Sequence, residues 1–193
     1  MPRVKQFNEE TVLNKAMELF WKKGFHATSM QDLVDNLGIN RASLYDTFGG
    51  KQALFDCVFK RYQHNSSEYL TAFFESQSSV KEGFYKLMER AVQESINDVD
   101  AKGCFVVNTT TELVPGDKNI ELKLIENRER IETIFYNFLQ KGVASNEIDA
   151  KKDLKSIASF IFTMYSGLKV ITKINSNQKK LLNTIKIALS VLD

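Results

Sequence analysis

The shortage of chain breakers limits this sequence more than any other feature. Two of its 193 residues are proline and nine are glycine; Pro2 stands at the terminus, so Pro115 is the one internal proline. Proline removes a backbone donor and glycine admits left-handed backbone, so these residues mark where regular structure must stop. A chain with so few stops runs in long segments, and the apolar periodicity within them is helical. The expected fold class is all-α, with eight or nine helices. With 43% hydrophobic and 26% charged residues, the chain can build a core and is not compositionally disordered. It has no run of about eighteen apolar residues, which argues against a membrane span. Its first residues lack the apolar stretch of a secretory signal.

The breakers and caps divide the chain. Val12, Ala16, Leu19 and Phe20 share one face of a segment from about Glu9 to Lys23, with Asn8 as N-cap and Gly24 as stop. Met30, Leu33, Val34 and Leu37 follow at helical spacing, with Ser29 as N-cap, Asp32 at the capping-box position and Gly38 as terminator. Arg41–Phe48 is a third short helix, capped by Asn40 and ended by Gly49–Gly50. A longer helix starts near Lys51 and carries Leu54, Phe55, Val58 and Phe59, with Cys57 read as core. Ser79 and Glu82 form a capping box for the next, which carries Phe84, Leu87, Met88, Ala91 and Ile96.

Between Gly103 and Leu113 the Thr and Val content leaves strand and helix both open. Pro115–Gly116 then breaks the chain, and Asp117 caps a helix whose later face is Ile131, Ile134, Phe135 and Phe138. Asp149 is the expected cap of a helix carrying Leu154, Ile157, Ile161, Tyr165 and Leu168; Ser176 or Asn177 opens the last, with Leu181, Ile185, Ala188 and Leu192.

Charge says little about partners. The net charge is +2, and residues 1–65 hold nine basic against seven acidic side chains, so the whole excess lies in the first third. A solvated surface explains that as readily as a polyanionic partner does. Cys57 and Cys104 have no short metal spacing, and neither His26 nor His64 has an acid, nucleophile or ligand partner at a recognisable interval. No metal, cofactor or enzymatic site is expected, and a reducing cytoplasm is the natural setting.

The motif that carries function is Thr28–Phe48, TSMQDLVDNLGINRASLYDTF. A capped two-turn helix, a tight turn at Gly38 and a second short helix make a helix-turn-helix. Leu33, Val34, Leu37, Ile39 and Leu44 would fix the angle between the two helices. The outward face of the second helix is then Asn40, Arg41, Ala42, Ser43 and Tyr45, which are small or hydrogen-bonding. A helix entering a major groove about 12 Å wide needs such a face, because bulky apolar side chains neither fit nor read base edges. Arg41 suits a guanine edge or a phosphate.

At these residues the sequence resembles the TetR family of transcriptional regulators. The likeness rests on KKGF (Lys22–Phe25), ATS (Ala27–Ser29), the LGI turn (Leu37–Ile39), SLYDTF (Ser43–Phe48) and the stretch from Gly50 to Phe55, and it spans about residues 8–60. The resemblance implies an N-terminal three-helix DNA-binding domain, residues 1–50, and a C-terminal helical effector-binding and dimerisation domain, residues 51–193. It implies that Ser29, Arg41, Ala42, Ser43, Tyr45 and Lys51 lie at double-stranded operator DNA, with Asn40 and Asp46 at positions that vary among members. Asp46 departs from what a phosphate surface favours.

For the C-terminal part the resemblance implies homodimerisation through about residues 150–174 and 177–192, although the same apolar stripes would also serve a monomer core. Phe84, Met88, Phe105 and Phe138 are candidates for an apolar effector site, or for plain packing. The segment Lys102–Leu113 resembles the electrophile- and oxidant-responsive subgroup that includes the N-ethylmaleimide-responsive repressor. Were Gly103 to start a helix, Cys104 would sit in its first turn beside Lys102, where helix dipole and charge favour a thiolate. Lys173 would approach it. The other reading of Cys104 is a small buried apolar residue. The function expected is a homodimeric one-component repressor released by a small apolar or electrophilic effector, or by modification of Cys104. A DNA-binding structural or division-control adaptor without an effector is the alternative.

Overall fold

The computed structural model describes residues 7–174 and 177–193. Among them the chain forms nine α-helices and no strand: α1 Glu9–Lys23, α2 Met30–Leu37, α3 Arg41–Phe48, α4 Lys51–Glu75, α5 Val80–Asn97, α6 Phe105–Leu113, α7 Lys118–Ala144, α8 Leu154–Ile171 and α9 Gln178–Leu189. A 3-10 turn, Ser190–Leu192, follows α9. The ambiguous segment after Gly103 is thus helical from Phe105. A lone strand would leave its backbone groups unpaired, whereas a helix satisfies them locally. Its threonines fit by bonding backward, Thr110 Oγ1 to the Val106 carbonyl at 2.8 Å and Thr111 Oγ1 to that of Val107 at 3.2 Å.

Most caps stand where short-range chemistry puts them: Asn8, Ser29, Asn40 and Asp117 each accept from backbone N–H groups of the first turn that follows. Two expectations change, at α8 and α5, and the choice at α9 falls on Asn177. α8 is capped by Asp153, which accepts from the Lys155 and Ser156 N–H groups at 3.2 Å, while Asp149 closes a separate turn through the Lys151 N–H at 2.9 Å. Asn177 caps α9 through the Lys180 N–H at 3.0 Å, and Ser176 lies outside the described residues. At α5, Ser79 Oγ accepts from the Glu82 N–H, but Glu82 pairs with Lys86 rather than reaching back.

The N-terminus of α5 is held instead by Glu147, from the turn after α7. Its carboxylate accepts from Ser79 Oγ at 2.6 Å, the Val80 N–H at 2.7 Å and the Lys81 N–H at 2.8 Å. Burial would raise the Glu147 carboxyl, but the Ser79 hydroxyl and the two N–H donors outweigh it and hold it below its ordinary value. A carboxylate on a helix N-terminus also meets the positive end of its dipole.

The chain divides into two compact units, residues 1–65 and 66–193, and the break falls inside α4. The expected boundary at 50/51 follows the start of α4; packing sets a later one. In the first unit Leu54, Phe55, Val58 and Phe59 of α4 are buried. The Phe55 ring meets Phe20 edge-on at 5.2 Å and Phe25 at 5.0 Å. The same stripe corrects the reading of Cys57, which is exposed because it points away from those four residues.

The second unit is built round an aromatic cluster on α4, α5 and α7. Phe74 and Phe138 stack at 4.2 Å, and Phe84 meets Phe135 at 5.4 Å and Phe138 at 5.3 Å, both edge-on. Ile157, Ile161 and Leu168 of α8 and Leu181, Ile185 and Leu189 of α9 close it. α8 is long and apolar enough to cross a membrane by length and composition, with mean hydropathy 1.2, which the apolar-run count had not anticipated. It carries Lys155 and Lys169 and packs against α5, α7 and α9 by one side, with 22% of it buried.

Candidate nucleic-acid interface

The first unit presents a short helix on a fixed base. Ser29 and Asp32 form a complete capping box: the Asp32 N–H donates to Ser29 Oγ at 3.0 Å, and the Ser29 N–H donates to Asp32 Oδ2 at 2.7 Å. Lys23, at the end of α1, places its ammonium 2.7 Å from the same carboxylate. The Lys23 ammonium, with the Ser29 hydroxyl and N–H, holds the Asp32 carboxyl well below the usual carboxylate range. Behind the box Thr28 is fully buried, its hydroxyl donating to the Gly24 carbonyl at 2.6 Å.

Gly38 makes the turn with φ 68°, a left-handed conformation costly for other residues. Leu33, Leu37, Ile39 and Leu44 are buried as expected, and Val34 is half-buried. They clamp α3 by its inner face. Asn40 caps α3 through the Ser43 N–H at 2.8 Å. Asn40, Arg41, Ala42, Tyr45 and Asp46 are exposed, while Ser43 is half-buried against the support. The outward row is therefore as drawn from the sequence, with Ser43 turned further in.

Three ring contacts flank this row, and the first stands at the i, i+4 spacing of a helix. The Arg41 guanidinium lies 5.9 Å from the Tyr45 ring centroid, a cation–π contact one turn apart. Tyr45 in turn rests on Gly50, whose φ is 114° and whose missing Cβ would come within 3.0 Å of Tyr45 Cε1. Lys51 is half-buried, with its ammonium 4.3 Å from the Phe25 ring centroid. Ser29 and Asn40 are exposed but committed to caps, so any DNA contact they make is shared with a structural role. The signal that could have found Lys23 was the basic last turn of α1 facing an acidic first turn of α2. Lys23 and Asp32 are nine positions apart, too far for any periodic rule.

In the second unit Phe84, Met88 and Phe138 are buried members of the core, and Phe105 is buried at the start of α6. Cys104 is the N-cap of α6, not a first-turn residue, and it is half-buried with no side-chain cap bond. Lys173 does approach that segment. A Cβ on Gly103 would stand 2.8 Å from Lys173 Cδ, and the Lys173 ammonium reaches Asn108 Oδ1 at 3.4 Å. Asn108 also donates to the Lys102 carbonyl at 2.8 Å, tying the approach to α6 together.

The stripes expected to pair between copies are only partly consumed by the core. Phe160, Val170 and Ile171 of α8 and Ile187 of α9 are exposed. Beside them a surface cleft of about 300 Å³ is lined by Met164, Gly167, Leu168, Ile171, Lys180, Leu181 and Thr184. Both helices of the expected pair thus keep large apolar side chains at the surface.

Comparison with known proteins agrees with this anatomy. Residues 12–58 match the family model described as bacterial regulatory proteins, tetR family, and residues 82–187 match the tetracyclin repressor-like C-terminal domain. The chain is 30% identical to YezE, an uncharacterized HTH-type transcriptional regulator of Bacillus subtilis, across 100% of both chains. It is 28% identical to the HTH-type transcriptional repressor ComR of Escherichia coli, covering 93% of this chain and 86% of that one. A cysteine mutant of the TetR family regulator CifR, solved with a 26-bp double-strand operator DNA, superposes with a TM-score of 0.87 at 26% identity, covering 99% and 100% of the two chains. By full-length relationship and by both of its domains, this chain belongs to the TetR family of bacterial regulatory proteins.

Proposed function

We propose that the protein is a homodimeric one-component repressor that binds a pseudo-palindromic operator through α3. The observation that carries this reading is the face of α3: Arg41, Ala42 and Tyr45 are exposed on a helix whose inner side is locked by fully buried Leu44. Arg41 is assigned to a base edge, and Tyr45 and Lys51 to phosphate. Ser29 and Asn40 combine capping with backbone contact, and Ala42 and Ser43 give the helix its close approach. Operator binding by the related CifR and the repressor role of ComR support it. Two-fold pairing through the apolar faces of α8 and α9 would set two such helices on a palindrome. The proposed place of action is the cytoplasm, where the operator lies.

Release is assigned to the second unit, by an effector or by alkylation of Cys104. In alkylation by a maleimide the Cys104 sulfur adds to the ring double bond and the thiol proton ends on the adjacent carbon. The added group would displace the Gly103–Lys173 packing, and α4, with residues in both units, is the covalent path to the DNA-binding unit. Differential affinity of about 3 kcal/mol between the two states suffices to loosen operator binding over a hundredfold.

The test is a mobility-shift assay on the DNA upstream of the protein's own gene. A tight, sequence-selective complex is expected; no tight complex with that or any other DNA would overturn the reading. Many dispersed chromosomal sites with unchanged transcription on deletion would favour the adaptor role. Treatment with N-ethylmaleimide should release wild type and Cys57→Ser alike but spare Cys104→Ser. Release of Cys104→Ser to the same extent would dismiss the thiol.

A further inference from the structure

Away from the α3 surface, the second unit gathers one unusual set of side chains. Tyr69 on α4, Arg90 and Glu94 on α5, and Tyr165 and Lys169 on α8 converge. The Arg90 guanidinium lies 5.0 Å from the Tyr69 ring centroid, and the Lys169 ammonium 4.6 Å from that of Tyr165. Arg90, Glu94, Tyr165 and Lys169 are all near enough to act electrostatically on the Tyr69 phenol. The cluster abuts the aromatic core: Tyr69 meets Phe73 at 6.0 Å, and Tyr165 meets Phe135 edge-on at 6.4 Å.

We infer that Tyr69, Arg90, Tyr165 and Lys169 recognise the acidic group of an amphipathic organic anion whose apolar body lies along Phe73. The inference rests on the effector reading above and names the class of effector. Its chemistry follows from the four groups. A guanidinium over a ring keeps its N–H groups in plane for a carboxylate or sulfonate, here with Nε held by Glu94, and an ammonium adds a second positive point. Burial raises the Tyr69 phenol, so it stays protonated and able to donate. Aromatic walls beside the cations supply the apolar half of the ligand's environment.

Glu94 gives the assignment its sharpest test. Its carboxylate accepts from Arg90 Nε at 2.8 Å, one turn away on an exposed surface. An exposed pair of this kind holds weakly, so an incoming anion takes the place of Glu94 at Arg90. Removing the Glu94 charge should therefore strengthen anion binding, which a purely structural ion pair would not do.

The experiment is calorimetric titration of the full chain with decanoate and 2-naphthoate, each against its uncharged amide. At least one acid should bind about tenfold more tightly than its amide, the scale of one charge-assisted hydrogen bond. Arg90→Gln and Lys169→Gln should each remove most of that preference, Arg90→Lys should keep part of it, and Glu94→Gln should tighten the acid. Thermal unfolding checks that each variant is folded; Arg90, with a side chain 55% exposed, is not a packing residue.

Equal affinity for acid and amide, no binding of either acid, or variants that bind as wild type does would overturn the site. Operator binding measured alongside separates the two claims. Acid that binds through Arg90 without loosening the operator leaves the site standing and sinks the effector reading. Release that persists unchanged in Arg90→Gln does the reverse.

Discussion

Tyr45 lies on Gly50: a Cβ at that glycine would stand 3.0 Å from the ring carbon Cε1, and the backbone there has φ 114°. The break between α3 and α4 is therefore also the seat of an α3 side chain proposed to touch phosphate. Gly50→Ala would meet both the ring and a backbone conformation that L-residues avoid, at a cost of about 1–2 kcal/mol. The expected outcome is a lower denaturation midpoint together with weaker operator binding. Operator affinity unchanged in a folded Gly50→Ala protein would show that the position of Tyr45 does not matter to the complex.

Arg41 and Lys51 should fail differently. Arg41→Ala is expected to cost about 1–3 kcal/mol and to relax preference at one base pair per half-site. Lys51→Ala should weaken binding evenly across sequences and flatten the salt dependence by about one counterion per protomer. Affinities over a panel of single-base operator variants at several salt concentrations separate the two. An even loss for Arg41→Ala would move that side chain to the backbone.

Glu147 makes the second unit acid-sensitive. Its carboxyl is depressed in the folded protein by Ser79, Val80 and Lys81. Its stabilising contribution is thus fully present above the unfolded carboxyl pKa and is lost as pH falls through the lower folded value. Glu147→Gln should lose about 1–2 kcal/mol at neutral pH, because a charged acceptor of three hydrogen bonds becomes a neutral one. The variant should also show a flatter stability profile on the acid side. Chemical denaturation between pH 7 and the acid limit of folding measures both, and a parallel profile would exclude Glu147 as the titrating group.

The exposed side of α8 predicts the assembly. Phe160→Glu places a charge on an apolar face that the protomer's own core leaves uncovered. It should convert a dimer to a monomer in sedimentation velocity while leaving the helical signal intact. Operator affinity should drop by more than a hundredfold, since each half-site then binds alone. A dimer that survives this change would place the interface elsewhere.

Local chemistry was enough to lay out the helices and the α3 face. α1, α2 and α3 begin and end where Asn8, Ser29, Asn40, Gly24, Gly38 and Gly49 stand, because a cap or a left-handed glycine acts within one turn of itself. Periodicity assigned Leu33, Leu37 and Leu44 inward and Arg41 and Tyr45 outward, because a helix has only one buried side when it lies on a small unit. Cys57 was misjudged because cysteine's apolar character outweighed its spacing: it stands off the Leu54, Phe55, Val58 and Phe59 stripe, beside Lys60 and Arg61, and is exposed. Local chemistry also allowed α6 to start at Gly103, two residues before Phe105, and drew the cap of α8 four residues early.

The tertiary structure decided what joins distant segments. Lys23 reaching Asp32, Glu147 capping α5 from 68 positions beyond Ser79, Lys173 lying along Gly103, and Tyr69, Arg90, Tyr165 and Lys169 converging from three helices all depend on how helices pack. The partners within those sets that lie on different elements are chosen by how the elements pack and not by spacing along any one of them. The scarcity of proline and glycine thus determined that this chain would be helices. Which side chains those helices bring together was settled only when they packed.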